Sequence, residues 1–488
     1  MRSRVPLLVI AVTCILVLLQ ETFAPFANGD APYDPGVYTY CAQRMLDGEL
    51  IYRDLFDHKG PLLHLLHAAG LYLFNRDTIG IWMVELAALS TAAAAMYFTA
   101  RRLTTPFAAL LAVILSLGAL CALEPGGGSQ FYTLPLLAVS LYVWTTRLQQ
   151  GSPFSAAATM GLAACGTLTL LLQPNLVVPW LVFGSAAAGT LLYRQRYREL
   201  AVAALAAGLA AVLVLIPFLW YALHQGILSD AVACYWDFNR SYAPPTLASV
   251  ARGTYYTIHN LNRTLATLPL FLYAVWVVAT RGSDRPALHL TLLAGLVLTL
   301  VVSCGLSGRN YAHYAIIILP FLNIALAFVL HRITLAPKLG RRVALAAALL
   351  LSLRPLALQR ELVAQAYRPA PALERTVAFI KTHTAPGDRI AVVGNDSQLY
   401  YRSGRQSSSR YHYTIPLFDV PRLGPVMAQQ YRRDLFTNRP RLVVVTNRDY
   451  PQPPPFVADI LETGYRKLPA PDPSVSMYLR KQDSAAAR

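Results

Sequence analysis

The sequence predicts an α-helical polytopic membrane protein with about eleven transmembrane helices and a small C-terminal α/β domain. Of its 488 residues, 55% are hydrophobic and only 14% are charged, and the mean hydropathy is +0.41. This composition is typical of polytopic membrane proteins rather than of soluble enzymes. From about residue 360 prolines, charges and short β-type runs return. We therefore expect a transmembrane domain over residues 1–359 and a second domain over residues 360–488.

Apolar runs along the first domain carry the membrane prediction, although some are short enough to be tilted or re-entrant. We interpret the first run as an uncleaved helix rather than a signal peptide, because many more apolar runs follow it. The predicted spans cover residues 5–19, 79–100, 105–123, 131–146, 154–172, 175–193, 199–223, 263–280, 287–306, 311–331 and 343–359.

Much of the net charge of +17 reflects membrane topology, so nucleic acid is not an expected partner. Lysine and arginine mark the cytoplasmic ends of membrane helices. Alternating the spans from a cytoplasmic N-terminus places every cationic cluster inside the cell and the C-terminal domain on the extracytoplasmic side of the cell membrane. The clusters contain Arg2, Arg4, Arg101, Arg102, Arg147, Arg194, Arg196, Arg198, Arg281, Arg285, Arg332, Lys338, Arg341 and Arg342.

The six cysteines show no CxxC spacing, and most of them lie inside apolar runs. We interpret them as small core residues. A disulfide between Cys41 and Cys234, both on the predicted outer side, is an open alternative, since spacing alone does not establish pairing.

The first long polar segment, residues 28–61, lies in a predicted outward loop of residues 21–78, and we interpret it as an active-site loop. Ionisable groups are dense in this segment, and a sequence next to the bilayer tolerates such density where the groups are used. They are Asp30, Asp34, Asp47, Glu49, Asp54, Asp57, His58 and Lys59.

Local signals predict two short helices in this loop. Asp34 is a favoured N-cap residue and is followed by a first-turn proline, while Gly48 supplies a C-terminal stop. Apolar residues at helical spacing between them predict an amphipathic helix on the membrane surface. A second helix is predicted to begin at Gly60, with residues 57–59 at its N-terminus, where backbone N–H groups and the helix dipole favour an anion.

Asp34 is the first candidate for a catalytic general base, because an acceptor hydroxyl needs a carboxylate within hydrogen-bond reach as it attacks. The alternative is that Asp34 only caps its helix. Asp30, four residues earlier, is the second candidate for the base.

Asp57, His58 and Lys59 are candidate substrate or phosphate-binding residues, with the Lys59 charge neutralising a phosphate leaving group. The alternative is a solvated turn before a helix. His64 and His67 follow three residues apart and could bind a divalent metal, although no acidic third ligand is on the same helix. A divalent metal therefore stays open, and the sequence assigns no metal ligands and no other cofactor.

Further candidate substrate-binding residues lie at predicted outward ends of the spans. Their arginines suit an anionic headgroup and their aromatic rings suit a sugar, but interfacial anchoring explains such residues too. Glu124 flanks a triple-glycine turn and is a weaker candidate. The others are Tyr235, Asn239, Arg240, Arg309, Tyr311, His313 and Tyr314.

Two runs, RIAVVGN at 389–395 and RLVVVTN at 441–447, predict β-strands of the C-terminal domain. They alternate with helical stretches, and a polar tail follows from Gln482. Gly394 and its neighbours lack the G-x-G-x-x-G turn of a dinucleotide-binding site.

In its first loop the chain resembles the polytopic GT-C glycosyltransferases, the clan of the protein O-mannosyltransferases and the lipid A aminoarabinose transferase. The resemblance rests on an acidic residue ahead of G-x-Y, at Asp34-Pro-Gly-Val-Tyr38, and on GELIYRDLFDHKGPLLHLL, which is similar to the family's G-x-x-Y … K-P-P sequence. As architecture it covers residues 1 to about 360. The chain departs from the family pattern in having His58 before Lys59 and Gly60 after it.

The resemblance implies a membrane glycosyltransferase that takes a sugar from a polyprenyl-phosphate carrier. The acceptor would be a hydroxyl of a glycolipid, a cell-envelope glycan or a protein on the outer face, with Asp34 as base and Lys59 near the phosphate. A transporter or flippase of a lipid-linked sugar is an alternative, but it predicts ionisable residues at mid-membrane. A non-catalytic envelope assembly protein is a second alternative, but it leaves Asp34 and Lys59 without a role.

Overall fold

The structure is a computed structural model of the chain. It describes residues 4–31, 33–123, 126–150, 155–242, 246–264, 266–280, 285–335, 339–420 and 422–481. Within these ranges most of the chain is helical, and one β-sheet forms after residue 388.

The helices follow one another with short connections through the first domain and into the second. The α-helices are α1 (Arg4–Leu18), α2 (Asp34–Leu46), α3 (Pro61–Leu73), α4 (Ile79–Leu103), α5 (Pro106–Leu120), α6 (Ser129–Gln150), α7 (Ala156–Leu170), α8 (Val178–Tyr193), α9 (Tyr197–His224), α10 (Leu228–Ala231), α11 (Phe238–Tyr242), α12 (Leu247–Asn262), α13 (Thr267–Thr280), α14 (Pro286–Leu298), α15 (Leu319–Thr334), α16 (Leu339–Ala366), α17 (Pro371–His383), α18 (Gln398–Ser403), α19 (Pro416–Asp419), α20 (Gly424–Asn438) and α21 (Pro455–Gly464). Tighter 3₁₀ turns cover Cys121–Leu123, Pro174–Val177 and Ala312–Ile318, and wider π-helical turns cover Val232–Asp237 and Thr299–Cys304.

Helix covers most of the described residues in each predicted span, but the helices differ in length. Six are long and apolar enough to cross a membrane, and a seventh is added if α12 and α13 count as one bent span. The fifteen residues of α1 and of α7 rise only about 22 Å, which is shorter than a hydrocarbon core of about 30 Å. The number eleven therefore stays a prediction.

Packing of the first domain centres on α15, which is buried along most of its length against α4, α5 and α13. Small residues let the helices approach closely, and α5 is lined by the fully buried Ala108, Ala109 and Ala112. Inside this core the Asn323 side chain donates a hydrogen bond of 2.9 Å to the carbonyl of Met96, so the buried amide nitrogen is paired.

The sheet contains β1 (Arg389–Val393), β2 (Gln406–Ser407), β3 (Leu442–Thr446), β4 (Tyr465–Leu468) and β5 (Val475–Arg480), in the order β2-β1-β3-β5-β4. The strands predicted at 389–395 and 441–447 form β1 and β3, which pair in parallel. Every residue of β3 is buried, as expected for a central strand covered on both faces. Whether residues 360–488 form a separate extracytoplasmic domain stays a prediction.

Both helices predicted in the first loop form, as α2 and α3, but two of their expected details are wrong. Tyr33 rather than Asp34 is the N-cap of α2, since the Tyr33 carbonyl accepts the first helical hydrogen bond from Val37. Residues 36–42 are all buried, so α2 does not present the exposed face of a surface helix. It is enclosed by α3 on one side and by α18 on another.

Gly60 allows α3 to meet the C-terminal end of α7 almost without a gap. Its N–H donates to the Leu172 carbonyl at 3.0 Å, and the N–H of Leu62 donates to the Leu171 carbonyl at 3.2 Å. A Cβ atom at position 60 would lie 2.0 Å from the Leu171 oxygen. This contact explains why the chain has a glycine here, since any side chain would force the two helices apart.

We expect Gly60→Ala to destabilise the protein by about 1–3 kcal/mol, the usual cost of forcing extra volume into a tightly packed site. Thermal unfolding of the detergent-solubilised protein measures the change. Gly161→Ala is the matched control, because Gly161 lies on α7 and a Cβ there meets nothing within 4 Å. Equal unfolding midpoints for Gly60→Ala and wild type would contradict the contact.

Candidate active site

A cavity of 540 Å³ opens between the first loop and three later segments of the chain. Volumes of this size suit a small ligand, and the walls combine apolar and aromatic surface with a few polar groups. The lining residues are His58, Lys59, Gln173, Pro174, Asn175, Trp236, Asn239, Arg240, Tyr242, Leu306, Ser307 and Tyr314. Five of the candidates named from sequence are therefore brought together on its walls: His58, Lys59, Asn239, Arg240 and Tyr314.

Lys59 forms part of the cavity wall although its residue is only 7% exposed. The loop is fixed on either side of it. The Lys59 carbonyl accepts a hydrogen bond of 2.8 Å from the Tyr52 hydroxyl, and the His58 carbonyl accepts one of 2.7 Å from the Asn239 amide. Burial with fixed neighbours positions the ammonium group at the wall.

His58 lies between aromatic rings, with ring centroids 5.2 Å from Phe238 and 5.4 Å from Tyr242. Burial, followed by the nearby charge of Lys59, holds the pKa of His58 well below its usual range. The imidazole is therefore neutral, and it would meet a phosphate as a hydrogen-bonding group rather than as a cation.

Arg309 reaches the same region, where its guanidinium lies 4.3 Å from the centre of the Tyr242 ring. It is close enough to His58 to act on it electrostatically. Arg240 is exposed and lies on the wall. Tyr311 and His313 stack on one another at 5.5 Å beside this group, outside the set of lining residues.

The expected anion site at the N-terminus of α3 is wrong as a backbone site. The N–H groups of Gly60 and Leu62 donate to carbonyls of residues 171 and 172, and those of His58 and Lys59 donate to Asp57 Oδ1 at 2.6 and 3.3 Å. Pro61 has no N–H to offer. Packing has used the backbone donors, so positive charge at the cavity comes from side chains.

Asp57 lies behind the cavity wall, only 1% exposed, and is absent from the lining. Its Oδ1 atom also accepts a hydrogen bond of 3.2 Å from the Tyr413 hydroxyl, while Oδ2 lies 3.3 Å from His64 Nε2. Burial raises the pKa of Asp57 to about 6, and the positive charge of Lys59 opposes the rise. The carboxyl holds the loop rather than contacting the cavity.

Asp34 is partly exposed at the start of α2, and its Oδ2 atom accepts a hydrogen bond of 2.9 Å from the Tyr38 hydroxyl. Among the described residues its Oδ1 atom receives none. Asp34 is close enough to His313 and Tyr314 to interact with both electrostatically. One oxygen of an oriented carboxylate therefore remains for a substrate beside the cavity.

Asp30 is engaged differently, because its Oδ1 atom accepts a hydrogen bond of 2.8 Å from the Gln398 amide. The same amide group accepts from the backbone N–H of Ala31 at 2.7 Å. These two bonds attach the loop to α18, whereas the Tyr38 partner of Asp34 lies on the same helix as Asp34 itself.

The other acidic residues of the loop serve its shape. Arg44 pairs with Asp47 and with Glu49, each at 2.6 Å, and Asp54 Oδ2 accepts from the N–H of Leu50 at 2.8 Å. Some of the ionisable residues in this loop therefore stabilise the loop itself, and only some of them lie at the cavity.

Tyr235 and Glu124 are the remaining candidates from the sequence. The Tyr235 hydroxyl donates a hydrogen bond to the Leu170 carbonyl, which fixes its ring at the end of α7 and keeps it off the cavity lining. Glu124 lies outside the described residues.

Sequence reasoning missed the contribution of Gln173, Pro174 and Asn175 to the wall. They lie where the predicted spans 154–172 and 175–193 meet. The Gln173 side chain accepts a hydrogen bond of 3.3 Å from Gln130, and that of Asn175 donates one of 2.6 Å to the Ser303 carbonyl. The signal available in the sequence was a pair of amide side chains on either side of a proline, between two apolar runs. Trp236, next to Tyr235, and Ser307, two residues before Arg309, were missed in the same way.

His64 and His67 face different partners, so they do not form the shared metal site considered from sequence. His67 Nε2 lies 2.9 Å from the Gly127 carbonyl oxygen, whereas His64 faces Asp57. The Cys41–Cys234 disulfide is also wrong, since both thiols are free and Cys234 contacts Arg410 at 3.1 Å. Cys41, Asp57 and His64 place potential ligand atoms within 4.8 Å of one another.

Comparison with known proteins gives structural matches only. No family model matches the sequence, and no curated protein does. Two crystal structures of ArnT from Cupriavidus metallidurans, one apo and one bound to undecaprenyl phosphate, match with TM-scores of 0.63 and 0.62 and identities of 15% and 14%. Each match covers 96% of this chain and 97% of ArnT.

The cryo-EM structure of the arabinofuranosyltransferase AftD from Mycobacteria matches with a TM-score of 0.52 and 16% identity, covering 98% of this chain but only 40% of AftD. ArnT, the lipid A aminoarabinose transferase, and AftD are both GT-C glycosyltransferases. The likeness extends over nearly the whole chain and agrees with the resemblance noted in the first loop. This chain therefore has the fold of the GT-C glycosyltransferases.

Proposed function

We propose that this protein is an integral membrane glycosyltransferase that moves a sugar from a polyprenyl-phosphate carrier to an acceptor hydroxyl on the extracytoplasmic side. The observation that carries the proposal is the cavity with Lys59 and Arg240 on its wall, Arg309 beside it, and a partly free Asp34 carboxylate within electrostatic reach of its lining. A likeness in fold to ArnT, which has been captured with undecaprenyl phosphate, supports the choice of carrier.

In the proposed reaction the acceptor oxygen attacks the anomeric carbon of the donor sugar. Asp34 takes the hydroxyl proton through Oδ1, while Tyr38 holds Oδ2. The bond between the anomeric carbon and the phosphate oxygen breaks, and its electron pair stays on the phosphate. Lys59 and Arg309 stabilise the charge that grows there, and the carrier leaves as a polyprenyl phosphate.

The sugar would lie against the aromatic part of the wall. Trp236 and Tyr314 offer aromatic surface, and the amides of Gln173 and Asn239 offer hydrogen bonds for hydroxyl groups. Such a wall suits a small glycosyl unit but does not distinguish one sugar from another.

Incubating the purified protein with radiolabelled polyprenyl-phosphate sugars and candidate acceptors tests the proposal directly. We expect label to move from the carrier to an acceptor or to water. Movement of intact donor across a vesicle without cleavage would instead establish a transporter. Binding without either result would favour an assembly protein.

We expect Asp34→Asn to fold normally and to lose nearly all transferase activity, because an amide can still accept from Tyr38 but does not take a proton. Asp30→Asn is the matched control. Its side-chain oxygen can still accept from Gln398, so activity should persist. An active Asp34→Asn with an inactive Asp30→Asn would move the base to Asp30.

We expect Lys59→Ala and Arg309→Ala each to lower kcat on the order of a hundredfold, the scale for loss of one preorganised electrostatic donor. Donor affinity should change less, because the charge on the phosphate is largest in the transition state. Lys59→Arg should recover part of the loss if charge matters more than shape.

The control for these cation variants is Arg76→Ala, which removes an exposed pair with Asp47 at 2.6 Å, of a kind that contributes little. Its turnover should equal that of wild type. Wild-type turnover in both Lys59→Ala and Arg309→Ala would show that the two residues are surface anchors, and the placement of the active site would fail.

The proposed topology has a cytoplasmic N-terminus, eleven spans and an extracytoplasmic C-terminal domain. An alkaline phosphatase fusion after residue 365 should then be active, and one near Arg196 should be inactive, because that enzyme folds only outside the cytoplasm. The reverse pattern would overturn the orientation.

A further inference from the structure

We propose that Cys41, Asp57, His64 and His412 form a binding site for a zinc-class divalent cation behind the cavity, holding the first loop to the C-terminal part of the chain. The four residues come from α2, the loop before α3, α3 itself and the segment after β2. One thiolate, one carboxylate and two imidazoles are a ligand set that suits a tetrahedral cation of this class. The inference does not depend on the proposed transferase activity.

The spacing of the ligand atoms fits such an ion. Metal–ligand distances of about 2.0–2.3 Å place the ligand atoms of a tetrahedral site about 3.3–3.8 Å apart. Cys41 Sγ lies 3.3 Å from His412 Nε2, and Asp57 Oδ2 lies 3.3 Å from His64 Nε2. The ligand atoms of Cys41, Asp57 and His64 all lie within 4.8 Å of one another, so a contraction of about 1 Å brings these three atoms to tetrahedral spacing. His412 Nε2 is the fourth ligand through its place beside Cys41 Sγ.

Unpaired polar atoms at the centre of the cluster point to a ligand. Asp57 Oδ2 and both ring nitrogens of His64 are buried, and among the described residues they have no hydrogen-bond partner. His64 is 0% exposed and Asp57 is 1% exposed. Leaving such groups unpaired is costly, and a cation bound between Asp57 Oδ2 and His64 Nε2 removes the cost for those two atoms.

Neighbouring groups orient two of the ligands for this role. On Asp57, the N–H groups of residues 58 and 59 and the Tyr413 hydroxyl all occupy Oδ1, which leaves Oδ2 directed at His64. Supporting hydrogen bonds of this kind are what fix ligands in metal sites.

On His412, the Ser397 hydroxyl donates to the His412 carbonyl at 3.2 Å and lies 2.9 Å from Nδ1. In the proposed site the hydroxyl proton points at the carbonyl, and the same oxygen accepts from Nδ1–H. Nε2 then carries the lone pair that faces Cys41, which is the tautomer a metal ligand needs.

The competing explanation is a metal-free cluster in which His64 shares a proton with Asp57, and Cys41 with His412. The carbonyl of Phe56 next to His412 would support it. It does not require a thiol at position 41, since a serine hydroxyl would share a proton with His412 equally well. The two explanations differ in metal content and in spectroscopy.

The test begins with the full-length wild-type protein, purified in detergent without chelators and analysed for metals. We expect about one zinc-class ion per chain after exposure to zinc and removal of excess metal, as for a closed structural site. Replacement by Co²⁺ should give the visible bands of tetrahedral cobalt and a thiolate charge-transfer band in the near ultraviolet. Chelation should lower the thermal unfolding midpoint.

Variants identify the ligands. Cys41→Ser should abolish the thiolate band. His64→Ala or His412→Ala should lower cobalt affinity at least on the order of a hundredfold, because mutating even a residue that only hydrogen-bonds to a metal ligand lowers metal affinity about 10- to 100-fold. Cys165→Ala and His224→Ala, which alter residues outside the cluster, should keep the band and the metal. If a variant unfolds, the wild-type metal content and cobalt spectrum still decide whether the site exists.

Either of two results would overturn the proposal. The first is wild-type protein that retains no stoichiometric zinc or cobalt. The second is a cobalt spectrum without a thiolate band, or with one that survives in Cys41→Ser.

Discussion

The buried carboxyl of Asp57 is the constraint on which the candidate site depends. It is 1% exposed, and burying such a group is expensive unless hydrogen bonds compensate. Compensation comes from the backbone of His58 and Lys59 and from the Tyr413 hydroxyl. The hydrogen bonds to the Asp57 carboxyl therefore fix the backbone of residues 57–59 before α3. That backbone conformation places Lys59 on the cavity wall.

The start of α3 shows how packing and ligand binding compete for the same atoms. A helix N-terminus binds anions when its N–H groups are free. Here Gly60 brings α3 against α7, and the carbonyls of Leu171 and Leu172 take those N–H groups. Positive charge at the cavity must then come from long side chains, and the chain supplies Lys59, Arg240 and Arg309 around it.

Local sequence signals predicted much of the scaffold, because proline, glycine and apolar spacing act within a few residues. They gave α2, α3, β1 and β3, and they named five residues of the cavity lining. They failed where the partner is distant. No local pattern indicates that Leu171 occupies the N–H groups of α3, or that Tyr413 and His412 reach the first loop. The number of membrane spans does not follow from local signals for another reason: whether helices as short as α1 and α7 cross the membrane depends on the helices around them rather than on their length.

The attachment of the first loop to residues 397–413 has a consequence during synthesis. Asp57 and Tyr413 are separated by 356 residues. At roughly 5–20 residues per second, Asp57 leaves the ribosome about 20–70 s before its partner exists. For that interval the loop lacks the hydroxyl that compensates the carboxyl, so it must stay hydrated while the membrane helices assemble. Maturation of the site is therefore a late event, timed by the arrival of the C-terminal part of the chain rather than by formation of the first helices.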